Sequence, residues 1–432
     1  MRRIPIAGLV GLTLAVGISF AAAADPGGEI DPELAQVSQQ RLSVLLPQIM
    51  AEKDIDLWLT FTREGATDPL LAQLGSDHMV ARAALIFART AEGGFRRIAI
   101  AASYDVEPLM SSSLYDTVIS YRSEGIRPHL QSVMLTLDPG TVVVNSSRDV
   151  PMADGLTQGM RDYIIEVLPE FEGRLESAEE LIISLFSRKL PAEIAATRVA
   201  AEQTQMMLAE ALSRKVVRPG KTTEADVADY LRKRAKKLGM EQSCMSIVVG
   251  PMRGHSDPTD RVIQRGDLLR ADVCFRYMGY SSDIQRTAYV LKKGERDAPD
   301  FVKQLWEDAK AANRAALAVM APGVTGNAVD VAGRGYLEAH GYEGYPHAAG
   351  HPIGPQVHDI GPLLAPDWPE RYGNLGFFKL EPGMTMAVEP LLYTEEPRLG
   401  GAINVGIEEN VVITETGYEV LGSLQEELWL IR

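Results

Sequence analysis

Two aspartates lie inside consecutive apolar, strand-like stretches of this 432-residue chain. Residues 268–275 contain Asp272, residues 280–291 contain Asp283, and the short Tyr-Met-Gly segment between them favours a turn. Two carboxylates that face each other across such a hairpin are unfavourable unless each is paired with a cation. The sequence therefore predicts either a structural ion pair, for which Arg286 is a candidate, or a metal site.

Further metal-ligand side chains follow in the last hundred or so residues, again in apolar surroundings. They are His347, His351, His358, Glu389 and Glu408. Four carboxylates in apolar strands exceed what the few nearby basic residues neutralise, so bound metal is the economical explanation. One imidazole with four carboxylates is an oxygen-rich donor set that suits two adjacent divalent ions, with Mn²⁺ favoured and Co²⁺ or Zn²⁺ able to substitute. Such a pair lowers the pKa of a bridging water, so that hydroxide becomes the nucleophile.

The order of these residues resembles the pita-bread metallopeptidases, the family of aminopeptidase P, prolidase, methionine aminopeptidase and the metal-free creatinases. The matching features are Asp272 eleven residues before Asp283, the run Gly-Tyr-x-x-Asp-Ile-x-Arg-Thr at 279–287, Glu389-Pro390 with Tyr393, and Ile407-Glu408. The resemblance covers roughly residues 187–430, and five ligands in the same order make it far more specific than a single motif.

The resemblance implies a role for each of these residues. The metal ligands would be Asp272 on one ion, Asp283 and Glu408 bridging both, and His351 with Glu389 completing the other site. Glu389, His255 and His358 would be catalytic, with Glu389 as the acid or base partner of the attacking water and His255 assisting proton transfer. His255, His347 and His358 would also contact substrate, because they resemble the pocket histidines of the proline-directed branch.

The implied activity is hydrolysis of the Xaa-Pro bond of short peptides by an exported dinuclear aminopeptidase or dipeptidase. Two alternatives stay open: a creatinase-like amidinohydrolase, against which the five retained ligands argue, and a non-catalytic or altered-specificity peptide-binding relative. Four departures bear on substrate range: Pro352 replaces a usual Gly, Gly406 a common Arg, Cys274 a small residue and Glu409 a usual Asp.

Two domains are expected after the N-terminal segment. Residues 25–186 resemble the α/β N-terminal domain of the creatinase-like members, and residues 187–432 resemble the α+β pita-bread catalytic domain with two pseudo-symmetric halves. The halves are visible as a weak repeat, because Pro-Gly-x-Thr at 219–222 and at 322–325 each opens an amphipathic helix. We expect the threonine that ends each motif to cap its helix.

The pattern of apolar and turn residues predicts individual elements in the first domain. The predicted strands are 57–61, 83–87, 97–101, 117–121 and 141–145, and the predicted helices are 32–53, 126–135 and 154–167. A long helix beginning at Pro191 is expected to open the second domain.

The first 24 residues are typical of a secretory signal peptide. Two arginines precede an apolar run at 6–20, and alanines at 21–24 allow cleavage before Asp25. This predicts export, to the periplasm if the host has two membranes, although an uncleaved anchor stays an alternative. No second apolar segment is long enough to cross a bilayer, so the mature chain should have no integral membrane segment.

Charge and cysteine content exclude several classes of protein. The net charge of −15 and the lack of a basic cluster argue against a nucleic-acid partner. The two cysteines, Cys244 and Cys274, lie in apolar strand-like stretches, so we expect buried free thiols rather than a disulfide. Members with this N-terminal domain are commonly dimers or tetramers, so the resemblance also implies a homodimer or homotetramer.

Overall fold

A computed structural model describes residues 34, 36–254 and 256–432. The predicted signal peptide at 1–24 and the predicted catalytic residue His255 lie outside these residues. Within the part that is described, no helix combines the length and the apolar character needed to cross a membrane.

The helices and strands alternate in the first part of the chain and become strand-rich towards its end. The α-helices are α1 (Val37–Gln40), α2 (Leu46–Glu52), α3 (Val106–Ser111), α4 (Arg127–Leu137), α5 (Gln158–Val167), α6 (Glu179–Ser187), α7 (Pro191–Ala211), α8 (Glu224–Lys237), α9 (Asp300–Ala318), α10 (Gly326–Ala339) and α11 (Pro369–Tyr372), with a π turn at Arg41–Leu45 that joins α1 to α2. The strands are β1 (Leu57–Thr62), β2 (Ala83–Arg89), β3 (Phe95–Ala102), β4 (Thr117–Tyr121), β5 (Val142–Val144), β6 (Leu175–Ser177), β7 (Glu241–Val249), β8 (Leu268–Tyr277), β9 (Tyr280–Val290), β10 (Gly350–Pro352), β11 (Thr385–Val388), β12 (Leu391–Glu396), β13 (Gly401–Gly406), β14 (Glu409–Ile413), β15 (Tyr418–Val420) and β16 (Trp429–Ile431).

The first unit is built on a six-stranded mixed sheet in the order β4-β3-β2-β1-β5-β6. Every residue of the central strand β1 is buried. Its alternate side chains enter two separate apolar clusters, with Trp58 in one and Leu57, Leu59 and Phe61 in the other. Burial of both faces explains why the strand is continuously apolar rather than alternating.

The second unit contains two four-stranded sheets and one hairpin. One sheet has the order β16-β9-β8-β7, the other has the order β10-β11-β14-β15, and β12 pairs with β13. Each half begins with a long helix, continues with a second helix and then enters strands, so α7, α8 and β7–β9 correspond to α9, α10 and β10–β11. This is the repeat that the two Pro-Gly-x-Thr motifs predict.

The predicted threonine cap is confirmed in one half only. Thr325 caps α10, because its side chain accepts a hydrogen bond from the Ala328 backbone N–H. In the first half the cap of α8 is Thr223 rather than Thr222, so the prediction was wrong by one residue. Thr222 is occupied inside the turn, where its hydroxyl donates to the Val216 carbonyl. The residue type alone cannot distinguish two adjacent threonines as caps. The conformation of the turn determines which of them caps the helix.

A buried polar contact joins the two units. Arg41 in the π turn donates hydrogen bonds to the carbonyls of Leu185 and Arg188 and forms an ion pair with Glu193 at the start of α7. Tyr280, the first residue of β9, donates to the other oxygen of Glu193 at 3.0 Å. The π turn between α1 and α2 is therefore tied to the sheet that carries the two aspartates. The domain division at residue 187 stays a prediction.

The free-thiol prediction for Cys244 and Cys274 was wrong. These residues form a disulfide, with a Cα–Cα distance of 4.7 Å. The physical reason is register: β7 pairs antiparallel with β8, and Cys244 lies directly opposite Cys274. Directly opposed residues of an antiparallel pair come within the range of Cα distances that a disulfide spans.

Candidate metal centre

The two aspartates of the first half are held by the β8–β9 hairpin. Its turn places Met278 and Gly279 at φ values of 47° and 85°, the left-handed conformation that two-residue hairpin turns use. The resulting register pairs Cys274 with Asp283 and sets Asp272 opposite Gln285. The two carboxylates are therefore diagonal neighbours on one face of the hairpin, not directly opposed residues as the sequence suggested.

The second half supplies the other three groups from strands and strand ends that meet this face. His351 is the central residue of β10, which pairs antiparallel with β11. Glu389 follows the last residue of β11, and Glu408 precedes the first residue of β14. Because β11 pairs with β14, the two glutamates emerge from adjacent positions of one sheet.

The five predicted ligands come together as two overlapping groups. Asp272, Asp283 and Glu408 form one group, and His351, Glu389 and Glu408 form the other; in each group one ligand atom per residue lies within 4.8 Å of the others. His351 Nε2 lies 3.5 Å from Asp283 Oδ2 and 3.8 Å from Glu389 Oε1. Glu408 belongs to both groups. A carboxylate shared in this way is suited to contact two cations.

The electrostatics of this cluster favour bound cations. Burial, reinforced by the neighbouring carboxylates, raises the pKa of Asp272, Glu389 and Glu408 above the usual acidic range. Burial by itself lowers the pKa of His351, but contact with Asp283 and the charge of Glu389 raise it to about 9. Divalent cations remove this repulsion between carboxylates and take the lone pair of a neutral imidazole, so the donor set fits two of them.

Neighbouring polar groups hold the ligands in position. Gln285 donates a hydrogen bond to Asp272 Oδ2 at 3.3 Å, and the Asn410 side chain bonds both the backbone N–H and the carbonyl of Asp283. His351 Nδ1 bonds the Pro352 carbonyl at 3.1 Å. That bond fixes the ring orientation and leaves Nε2 directed at the carboxylates.

Arg286 does not neutralise the two aspartates. In the described part of the chain its ion pair is with Glu409, at 2.8 Å, and it also donates to the Glu408 carbonyl at 2.6 Å. The alternative of a structural pair between Arg286 and Asp272 or Asp283 is thereby excluded. Glu409, one of the departures from the family pattern, serves as the partner of this buried arginine.

The cluster opens into a cavity of about 1050 Å³. The predicted substrate residues His347 and His358 both line it. His347 is half-buried and its Nδ1 bonds the Ala348 carbonyl at 2.7 Å, whereas His358 is exposed and its ring centre lies 4.2 Å from that of His351. The structure therefore places both histidines on the wall that surrounds the candidate ligands.

Sequence reasoning missed Arg270 and Asn404, which also line the cavity, whereas Cys274 had been singled out. Arg270 and the disulfide sulfur of Cys274 flank Asp272 on the same face of β8, and Asn404 of β13 lies against Arg270. Cys274 Sγ lies 3.2 Å from Asp283 Oδ1. Strand alternation alone could have found Arg270, because it stands two residues before Asp272.

The side chains of Gln285 and Leu391 fill the space beside Gly406. A Cβ atom there would lie 2.0 Å from Gln285 Oε1 and 2.2 Å from Leu391 Cδ1. The arginine that proline-directed members commonly carry at this position therefore has no space in this chain unless both neighbours move.

Comparisons with known proteins agree with this geometry. The family model described as metallopeptidase family M24 matches residues 195–415. An uncharacterised peptidase of Bacillus subtilis is 32% identical over 220 residues, which are 50% of this chain and 57% of that protein. The Xaa-Pro dipeptidase of Pyrococcus furiosus is 30% identical over 210 residues, or 48% of this chain and 55% of that protein. The chain thus spans about half the length of the curated relatives it matches.

Solved structures extend the likeness to the first unit. The dipeptidase PepE of Mycobacterium ulcerans has a TM-score of 0.63 at 22% identity and covers 91% of this chain and 98% of its own. The Xaa-Pro dipeptidase of Bacillus anthracis has a TM-score of 0.59 at 23% identity, covering 91% and 99%. These matches confirm the predicted fold class, an α/β N-terminal unit followed by a pita-bread unit. Because the family model covers just over half of the chain and includes all five clustered residues, the chain belongs to metallopeptidase family M24.

Proposed function

We propose that this protein is a metal-dependent peptidase that hydrolyses the bond before proline in short peptides. The observation that carries the proposal is the pair of ligand groups that share Glu408, one completed by two aspartates and the other by His351 and Glu389. The names of the relatives support the proline preference, since one of them is an Xaa-Pro dipeptidase.

Two divalent cations, with Mn²⁺ as the preferred metal, would be held by the five residues of this cluster. They are Asp272, Asp283, His351, Glu389 and Glu408. When bound, the cations supply Lewis-acid polarisation of the scissile carbonyl and activation of the attacking water.

The chain's own residues orient the substrate and move protons. Glu389 contacts His351 and lines the cavity. This supports its role as the group that accepts a proton from the attacking water and returns it to the leaving nitrogen. His347 and His358 line the cavity, which supports their proposed role in bonding the peptide backbone. His255 is proposed as a further proton-transfer group on the strength of the sequence alone.

Export and assembly complete the proposal. The N-terminal pattern supports secretion of the mature chain and use of external peptides rather than processing of nascent ones. A homodimer or homotetramer is proposed from the resemblance to members with this N-terminal domain.

The test is release of the first amino acid from an Xaa-Pro-Yaa peptide and from its Xaa-Ala-Yaa counterpart. Protein is stripped with a chelator, reloaded with Mn²⁺ and compared with the stripped sample. Manganese-dependent cleavage of the proline peptide alone is expected. Cleavage of both peptides would retain the peptidase and refute the proline preference, whereas cleavage of neither by protein that holds two Mn²⁺ would refute the proposed activity.

A further inference from the structure

We infer that Arg270 binds a carboxylate of the substrate one or two residues beyond the scissile bond. The inference rests on the proposed peptidase function and deepens it, because it makes a short peptide with a free carboxyl terminus the preferred substrate class. It distinguishes a dipeptidase-type site from an aminopeptidase that tolerates long peptides.

The position of Arg270 directs it to the cavity rather than to the core. Its strand β8 alternates between the two sides: Leu269 and Ala271 enter an apolar cluster, while Arg270 and Asp272 line the cavity. Alternate residues of a strand are about 7 Å apart, and an extended peptide advances about 3.5 Å per residue. A carboxylate one or two residues past the reacting carbonyl therefore lies within reach of a guanidinium two positions from Asp272.

The hydrogen bonds of Arg270 leave its charge uncompensated. Only 5% of the residue is exposed. Nη1 donates to the carbonyl and side-chain oxygens of Asn404, and Nη2 donates to the Gly250 carbonyl at 2.7 Å. These acceptors are neutral, and Nε has no hydrogen-bond partner among the described residues. A buried arginine is normally matched by a carboxylate, and across residues 34, 36–254 and 256–432 Arg270 forms no ion pair.

The acidic side chain whose charge acts on Arg270 is already occupied. Glu224, fully buried, accepts hydrogen bonds on both oxygens from Arg253 and further bonds from Thr259 and the Val249 backbone. The charge of Glu224 is therefore neutralised by Arg253, which also lines the cavity. This end of the cavity thus carries an excess positive charge that a substrate carboxylate would balance.

The wall next to Arg270 connects it to the metal cluster. Tyr393 pairs across the β12–β13 hairpin with Asn404, the residue that Arg270 contacts. Tyr393 and Glu389 both line the cavity, and the His347 ring lies 6.2 Å from the Tyr393 ring. At Gly406, Gln285 and Leu391 occupy the space that a side chain would need, so that position contributes no competing cation.

The first measurement compares four substrates on Mn²⁺-loaded protein: Ala-Pro, its carboxyl amide, Ala-Pro-Ala and the amidated peptide Ala-Pro-Glu. We expect the free acid Ala-Pro to have a kcat/KM at least about tenfold above its amide, mainly through KM. Arg270→Gln should lower kcat/KM for the free acid about ten- to a hundredfold, leave the amide nearly unchanged and leave metal content intact. Arg270 dependence confined to amidated Ala-Pro-Glu would overturn the preference for a free carboxyl terminus.

Arg261→Gln is the matched control, because Arg261 is an exposed cation that acts on Arg270 through its charge but does not line the cavity. It should preserve the preference for the free acid. Equal loss for acid and amide in Arg270→Gln would indicate a purely structural arginine and overturn the inference. Arg270→Lys keeps the positive charge but lacks the planar guanidinium, so it should retain part of the preference for the free acid. This variant replaces Arg270→Gln in the test if the glutamine variant does not fold.

A binding readout separates this inference from the proposed activity. Titration calorimetry uses a non-hydrolysable reduced-bond Ala-Pro analogue, as the free acid and as the amide. Wild-type protein should bind the acid at least about tenfold more tightly, and Arg270→Gln should abolish the difference. If this binding difference is observed but no peptide is cleaved, the proposed activity is refuted and the role of Arg270 in carboxylate binding is retained. Equal binding of the acid and the amide by wild-type protein would refute the role of Arg270.

Discussion

At the scale of single residues, the metal centre depends on carboxylates that serve two partners. Glu408 belongs to both ligand groups, and Asp283 contacts His351 as well as the group that contains Asp272. A side chain that joins two ligand groups has more effect on metal content than one that belongs to a single group.

The first prediction concerns Asp283, which contacts His351 and belongs to the group that contains Asp272. Asp283→Asn should reduce bound Mn²⁺ from two ions per chain to nearly none, because the amide keeps the shape of the carboxylate but loses its charge. The fold should survive, since the bonds of Asn410 to residue 283 use only its backbone. Metal analysis after dialysis measures the loss. Asp300→Asn, at a fully exposed side chain, is the control, and two ions retained in the Asp283 variant would contradict the assignment.

The sequence was informative about these ligands because apolar surroundings make ionisable groups conspicuous. Asp272, Asp283 and Glu408 could be singled out on that basis alone. The role of Arg270 could not, since a lone arginine in a strand has many possible partners and only the fold shows that Asn404 and Gly250 take its hydrogen bonds. The role of Glu409 also depended on knowing that Arg286 reaches it.

At the scale of elements, local patterns located the strands and long-range pairing decided their details. The strand predicted at 117–121 has those bounds in the structure, whereas the helix predicted at 154–167 begins only at Gln158. The register of the paired strands could not be predicted from the sequence. It placed Cys244 opposite Cys274 and made the two aspartates diagonal neighbours, and both outcomes depend on which residues of different strands pair.

The second prediction tests the disulfide between β7 and β8. Thiol titration of the unfolded protein should find no free thiol before reduction and two after it. Reduction should lower the free energy of unfolding by about 3 to 4 kcal/mol, the amount expected for a loop of this size. The double variant Cys244→Ser, Cys274→Ser should show the same loss and no response to reductant. Two free thiols in the untreated protein would restore the original thiol prediction.

The third prediction concerns the buried ion pair that joins β9 to β14. Glu409→Gln should destabilise the protein by about 3 to 5 kcal/mol, because it leaves the Arg286 charge buried without its partner. Urea unfolding gives the value. The control Glu419→Gln breaks the exposed pair with Arg198 and should cost less than about 1 kcal/mol. Equal effects would show that the buried pair contributes no more than a surface one.

At the scale of the whole molecule, the metal centre lies between the two halves of the second unit. One half contributes the hairpin with Asp272 and Asp283, and the other contributes His351, Glu389 and Glu408. The five ligands come together only when the two halves meet, so bound cations should stabilise their association.

The fourth prediction follows from this arrangement. Saturating Mn²⁺ should raise the unfolding temperature of chelator-stripped protein, with a gain of about 2.7 kcal/mol per site at a concentration about one hundred times the dissociation constant. Calorimetric scans with and without Mn²⁺ measure the shift. Asp283→Asn is the control that should lose it, and an equal shift in that variant would place the stabilising cation elsewhere.

The crowded backbone at Gly406 also constrains how this protein can change through mutation. A side chain introduced there would first displace Gln285, and Gln285 holds Asp272. A larger residue at position 406 therefore requires the side chains at 285 and 391 to move or to be replaced by smaller ones. Substitutions at positions 285, 391 and 406 should accordingly have coupled effects on the metal site.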